Sequence, residues 1–135
     1  MRKNKNKKEK DTNKNGVCAA RYSSSSAVHF AGHCQCRDCQ HATGAGHSSF
    51  FVVERAATAI DGAPRYFETT GQSGNTVQRG FCPTCGSPVF NTNSGYPDNF
   101  FFHAATLDDP TLFEPSRVVY RDSGQPWDHV DPALS

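Results

Sequence analysis

His33-Cys34-Gln35-Cys36-Arg37-Asp38-Cys39 places three thiols within six residues, next to a histidine. A second pair, Cys82-Pro83-Thr84-Cys85-Gly86, follows about forty residues later. Thiolates are soft ligands and suit Zn²⁺. A Cys-x-x-Cys on a tight turn with Gly after the second Cys is a zinc knuckle: the turn aims both sulfurs at one point. Three clustered thiols are a different arrangement. They fill three corners of a tetrahedron and leave the fourth open, as a reactive zinc site needs.

The rest of the composition is consistent with a domain tied by metal. The 135 residues are enough for one domain with a modest core. Only 36% of them are hydrophobic, so metal cross-links would supply folding energy that a thin core lacks. Six Cys also permit three disulfides, but disulfides favour secreted proteins. The chain opens MRKNKNKKEK, with no apolar stretch of the signal-peptide kind behind it. No apolar run is long enough to span a membrane. A soluble protein of a reducing compartment, the cytoplasm, is expected.

The net charge of +1 conceals an asymmetry. Residues 1–15 carry seven Lys/Arg and two Asp/Glu, whereas the other 120 carry seven and eleven. The first fifteen residues therefore read as a disordered basic tail, with almost nothing to bury. A weak tether to nucleic acid or an anionic surface is the functional reading of such a tail, and a solvated terminus the plainer one. Residues 16–135 read as one mildly acidic domain, which argues against a nucleic-acid surface.

Strands dominate the expected secondary structure. Ala27 to Ala31 leads into the thiols as a strand, and 36–43 follows them as one helical turn. Phe50-Phe51-Val52-Val53-Glu54, rich in β-branched and aromatic residues, is a strand. Arg65–Thr69 and Thr76–Phe81 are strands around a Gly/Ser/Asn turn, and Asp61-Gly62-Ala63-Pro64 is turn chemistry. Val89-Phe90, Phe100–Ala105 and Arg117–Tyr120 complete the set. Ser23 to Ser26 reads as a polar turn and Leu107–Phe113 as a short helical turn. No helix of ordinary length is apparent, so the fold class is mainly β.

The residues around the thiols resemble a known family. His33-Cys34-Gln35-Cys36-Arg37-Asp38-Cys39-Gln40, followed by Ala42-Thr43-Gly44, resembles the core motif of the glutathione-dependent formaldehyde-activating enzyme family, which includes centromere protein V and adopts the β-tent fold. Arg79-Gly80-Phe81-Cys82-Pro83-Thr84-Cys85-Gly86-Ser87-Pro88 is similar to its second motif. Thr106-Leu107-Asp108-Asp109-Pro110 and Gln125-Pro126-Trp127 are similar to its C-terminal segments. The resemblance implies a β-tent of short antiparallel strands held by two zinc ions. Cys34, Cys36 and Cys39 would hold a catalytic-type zinc. Cys18, Cys82 and Cys85 would hold a structural one. The implied activity is that of a carbon–sulfur lyase acting on a thiol adduct such as S-hydroxymethylglutathione, with a small-molecule thiol as partner.

One departure from the family pattern stands out. Cys18-Ala19-Ala20-Arg21-Tyr22 retains a Cys and the Arg-Tyr, but Gly16 occupies the place of a further Cys. The spacing from Cys18 to Arg21 is also one residue short. The structural site is left with three thiols, and His29, a backbone group or water remain as the fourth ligand. On the pattern alone, Gly16→Cys would complete a closed site.

Other residues have competing readings. His33 and His41 flank the thiols and could orient substrate or shuttle a proton, though a ring donating to a backbone carbonyl is the plainer expectation. His47 and His103 read as surface or packing residues. Arg37 or Arg79 could pair with a glutathione carboxylate. Asp38 is expected to cap the turn, the five Phe at 50, 51 and 100–102 to form core, and Trp127 to cover the core edge. Two alternatives to the lyase follow from the spacing: a non-catalytic zinc-binding interaction module in which Cys36, Cys39, Cys82 and Cys85 form one closed four-thiolate site, and a thiol-redox protein using either Cys-x-x-Cys pair.

Overall fold

Two strands of alternating aromatic sequence organise the molecule. The computed structural model describes residues 14–135; most of the segment expected to be a disordered tail lies outside them. In β4 (Ser48–Glu54) and β9 (Asn99–His103), successive side chains point to opposite faces of one sheet. Phe51 and Val53 on β4, with Phe100 and Phe102 on β9, enter the core. Phe50, Val52 and Phe101 take the other face, where they line a cavity. The aromatic cluster at 50–51 and 100–102 is thus core on one side only.

Seven strands make this sheet. In the order β10 (Arg117–Val119), β3 (Phe30–Cys34), β4, β9, β8 (Pro88–Asn93), β7 (Thr76–Phe81), β6 (Arg65–Thr70), each pairs with its neighbour. All pairs are antiparallel except β10 with β3, which is parallel. A second sheet holds β1 (Lys14–Val17), β2 (Ala20–Ser24) and β5 (Thr58–Asp61), in the order β1-β2-β5. One helix, α1 (Arg37–Thr43), follows the first thiols, and single 3-10 turns occupy Arg55–Ala57, Ala104–Thr106, Pro110–Leu112 and Arg121–Ser123.

Register explains which residues face the core. Tyr66, Gly80, Phe90, Phe102, Phe51 and Ala31 oppose one another in sequence across six strands. Directly opposed residues share a face, so this row is one continuous surface. Phe90 and Phe102 are fully buried at its centre. A Cβ on Gly80 would lie 2.5 Å from the Phe90 ring, so glycine is what lets that ring lie across β7. Tyr66 then meets Phe90 edge-on, with ring centroids 5.8 Å apart.

The small sheet closes the core through Tyr22. Its ring stacks on Phe102 at 3.8 Å and 14°. Its hydroxyl hydrogen-bonds Thr106 Oγ1 at 2.7 Å. Beside it, Arg21 pairs with Asp108 at 2.9 Å, and the Asp108 N–H donates to Asn15 Oδ1. The Arg-Tyr and Thr-Leu-Asp segments therefore meet each other in space. The ion pair is about 40% exposed on both sides, so it adds little; the buried tyrosine is the anchor.

Several sequence expectations need correction. Residues 23–24 belong to β2, not to a polar turn, and β1 and β5 were not expected as strands. Their sequences, KNGV, ARYSS and TAID, carry no usable alternation; pairing and the face of the large sheet define them. β1 begins at Lys14, so Asn15, expected in the tail, is a buried residue of the fold. The strand leading into the thiols, β3, runs from Phe30 to Cys34, later than expected, and the strand at Phe100 ends at His103. Trp127 is 64% exposed and covers no core edge. No helix among the described residues is long and apolar enough to cross a membrane.

Candidate metal centre

The six cysteines converge as two trios. The sulfurs of Cys34, Cys36 and Cys39 all lie within 4.8 Å of one another, as do those of Cys18, Cys82 and Cys85. Three Zn–S bonds of roughly 2.3 Å in a tetrahedron would set the sulfurs about 3.8 Å apart, so both donor sets fit such an ion with little movement. Cys36, Cys39, Cys82 and Cys85 do not share one site, which removes the closed four-thiolate arrangement. All six thiols are free of disulfides.

Local structure aims the first trio. Cys34 ends β3, and Cys36 is the N-cap of α1, accepting a hydrogen bond from the Cys39 N–H at 3.3 Å. Asp38 does not cap the turn; the cysteine does. α1 is fixed from behind by the buried Gln40. Its Nε2 donates to the carbonyls of Gln35 at 2.9 Å and Ser123 at 3.0 Å, and its Oε1 accepts from Gln125 Nε2. The Gln-Pro-Trp segment thus acts through Gln125.

Charge in this trio cannot spread freely. The Cys34 and Cys39 thiols donate to Cys36 and, with the N–H groups of Cys39 and Asp38, hold its pKa down to about 2. The same contact with Cys36 pushes Cys34 far up. A cation bound among the three sulfurs would favour the ionised form of each.

The trio opens on a cavity of about 500 Å³, within the roughly 300–1,000 Å³ of small-molecule sites. Cys34, Cys36 and Cys39 lie along its wall with Asp38 and Ser48. Phe30, Phe50 and Phe101 give it an apolar middle. Arg79 and Asn91, opposed on β7 and β8, extend it with polar groups. Asn91 Oδ1 is buried with no hydrogen-bond partner. Asn91, Ser48 and the αL residue Tyr120 had no signal in the sequence, since only the strand register brings them to this wall.

The flanking candidates sort clearly. Neither His33 nor His41 bonds a backbone carbonyl or lines the cavity. His33 Nδ1 meets Ser49 Oγ at 2.8 Å, and His41 Nε2 meets Arg37 Nη2 at 3.1 Å. Burial, and then the His47 ring, lower the His33 pKa. Arg37 is occupied by Gln40 and His41 on its own helix, whereas Arg79 is half-buried on the cavity wall. His47 is tied to Asp128 at 2.9 Å. Burial would raise the Asp128 pKa, but hydrogen bonds from Gln35 and His47 hold it below the usual value.

His103 is a packing residue with a consequence for pH. Burial, with the Arg79 charge nearby, lowers its pKa from 6.5 to about 4. Between those values the unfolded chain binds a proton that the folded chain refuses, so stability falls as pH drops through this window. The loss from this one group is at most about 3 kcal/mol. In His103→Gln that component should disappear. Denaturant unfolding of both proteins between about pH 7 and pH 4 should show the flatter profile in the variant; parallel profiles would contradict it.

The second trio lies at the far end of the core. Cys18 sits at φ +42 in the two-residue connection between β1 and β2, and Cys82 and Cys85 follow β7. Cys82 is buried, the other two exposed. Burial raises the Cys82 pKa, but the N–H groups of Cys85, Thr84 and Ala19 outweigh it and bring it to about 6. No histidine or carboxylate among the described residues joins this trio. His29 lines a separate cavity with Tyr22 and Phe30 that contains no cysteine.

Gly16 cannot supply the missing thiol. Its φ is +134, and a Cβ there would lie 2.2 Å from the Ala20 carbonyl oxygen. We expect Gly16→Cys to lower stability by about 1–3 kcal/mol, with no gain in metal retention. Thermal melts and competition with a chelator measure both. Tighter retention would mean that β1 can shift to deliver the thiol.

Comparison with known proteins agrees with this architecture. A crystal structure of a Rhodobacter sphaeroides protein, 19% identical, superposes with a TM-score of 0.57 over 75% of this chain and 96% of that one, which shows a common fold. No curated protein sequence matches. The family model described as glutathione-dependent formaldehyde-activating enzyme matches residues 14–123, the span from β1 through the last 3-10 turn that contains both cysteine trios. The chain belongs to the glutathione-dependent formaldehyde-activating enzyme family.

Proposed function

We propose that residues 14–135 form a zinc-binding domain acting as a carbon–sulfur lyase on a thiol adduct such as S-hydroxymethylglutathione. The observation that carries this reading is the convergence of Cys34, Cys36 and Cys39 on the wall of the 500 Å³ cavity. Three protein thiolates leave one zinc position for a substrate sulfur. When bound there, zinc supplies Lewis-acid stabilisation of a substrate thiolate at neutral pH.

The reaction adds a thiol to formaldehyde: a C–S bond forms, and the thiol proton ends on the former carbonyl oxygen. The chain's own groups would hold the reactants. Asp38, on the wall of the same cavity, accepts the thiol proton and returns it to the carbinol oxygen. Phe50 and Phe101 cover the body of the substrate and exclude water. Arg79 takes a carboxylate at the far end as a charge-assisted pair. A donor on the ligand would satisfy Asn91 Oδ1, which the fold leaves without a partner.

The test is exchange kinetics. Zinc-loaded protein mixed with formaldehyde and glutathione should accelerate adduct formation and breakdown in proportion to its concentration, as magnetisation-transfer NMR would read directly. Thiol binding without acceleration would make the protein a carrier and reject the lyase. In Arg79→Gln, the KM for glutathione should rise roughly 10-fold or more, with kcat and zinc content unchanged. An unaltered KM would take Arg79 out of the binding site.

A further inference from the structure

The Cys18, Cys82 and Cys85 trio has the donors of a metal site but not the closure of a structural one. We propose that it is a second open three-thiolate metal site, whose remaining position binds an exogenous low-molecular-weight thiol at the protein surface. The proposal is independent of the lyase reading, since it concerns the other three cysteines.

No side chain among the described residues closes the site. The sequence contains six cysteines, and the two trios use all of them. It contains six histidines, all among the described residues, and none joins this trio. Gly16, where the family pattern has a thiol, directs its missing Cβ into the Ala20 carbonyl. Cys85 Sγ already contacts Ser87 Oγ at 3.2 Å, and Cys82 Sγ accepts the Thr84 N–H at 3.4 Å. These contacts orient the sulfurs but add no ligand of the kind zinc prefers.

Exposure then decides what fills the position. Cys82 forms a buried floor, while Cys18 and Cys85 are exposed. A site with two exposed donors out of three is reachable by small molecules without any rearrangement. Zinc held by three thiolates completes four-coordination with whatever donor is available, and a soft sulfur competes well against water. The two trios would therefore both respond to thiols, one inside the cavity and one on the surface.

The experiment isolates the surface trio. The Cys36→Ser variant, which lacks the cavity site, is loaded with Co²⁺ and titrated with glutathione. We expect one Co²⁺ per chain, a thiolate charge-transfer band, and d–d bands that shift saturably with thiol. X-ray absorption of the zinc form should change from three sulfurs and one lighter ligand to four sulfurs. Spectra unmoved by excess thiol would overturn the proposal, whether a carboxylate of the chain or a backbone oxygen closes the site. Should Cys36→Ser not fold, Cys18→Ser is compared with the native protein, and the number of thiol-responsive metal equivalents should fall from two to one. No fall would overturn it equally. Because the lyase assay reads only the cavity trio, its failure would leave this result untouched.

Discussion

Replacing Cys36 with serine should remove one metal equivalent and the thiol-adduct activity while leaving α1 folded. Cys36 has two duties, as a sulfur of the cavity trio and as the N-cap of the helix. Serine can perform only the second. Its hydroxyl is among the best N-caps, so the Cys39 N–H keeps its acceptor. As a ligand it fails, because a serine hydroxyl stays protonated where a cysteine thiol ionises. Altering groups that merely orient metal ligands costs about 10–100-fold in affinity, so losing a ligand should cost more than about 100-fold. Circular dichroism unchanged, zinc reduced by one equivalent and activity lost is the expected combination. Unchanged zinc in a folded variant would remove the cavity trio from consideration as a metal site.

Phe90→Ala should be the most damaging single substitution in the core. Phe90 is fully buried. It touches Tyr66, Phe100 and Phe102 with centroid separations of 5.8, 5.3 and 5.5 Å. Truncating such a ring costs about 3–5 kcal/mol, the higher figures applying where neighbours cannot collapse. Collapse is hindered here, because Gly80 beneath the ring has no side chain to fill the space. A fall in Tm of roughly 10–20 °C follows for a domain of this size. A fall of only a few degrees would mean that the row of rings across β7, β8 and β9 repacks. Metal content measured alongside separates this effect from a loss of zinc.

The two expectations rest on different layers of information. Cysteine spacing alone identified the thiols, their softness as ligands and the tight knuckle, because those properties belong to residue types and short turns. Spacing also grouped Cys34 with Cys36 and Cys39; the family motifs then assigned Cys18 to the knuckle pair, which spacing could not do, and by spacing a closed set of Cys36, Cys39, Cys82 and Cys85 stood as an alternative. Most strands were also legible, from β-branched and aromatic runs bounded by Gly, Pro and Asn. The strands that escaped notice, β1, β2 and β5, have short polar sequences, and their existence depends on partners elsewhere in the chain.

Which face a residue takes, and what it meets there, was decided by the tertiary structure. Phe50 and Phe51 are adjacent in sequence and similar in chemistry, yet one lines the cavity and the other the core. The pleat separates them, and the register of five further strands determines what stands opposite each. Arg79 and Asn91 reached the cavity wall by the same route. Asp38 lost the expected capping role because the Cys36 sulfur was better placed to receive the N–H. Gly16 illustrates the limit most directly: as a letter in a pattern it was an absent cysteine, and only its backbone angle and the carbonyl opposite show that no side chain fits there. Ligand type is a local property and can be read from sequence, but the closure of a metal site depends on chain path, and that is set by packing between segments far apart in the chain.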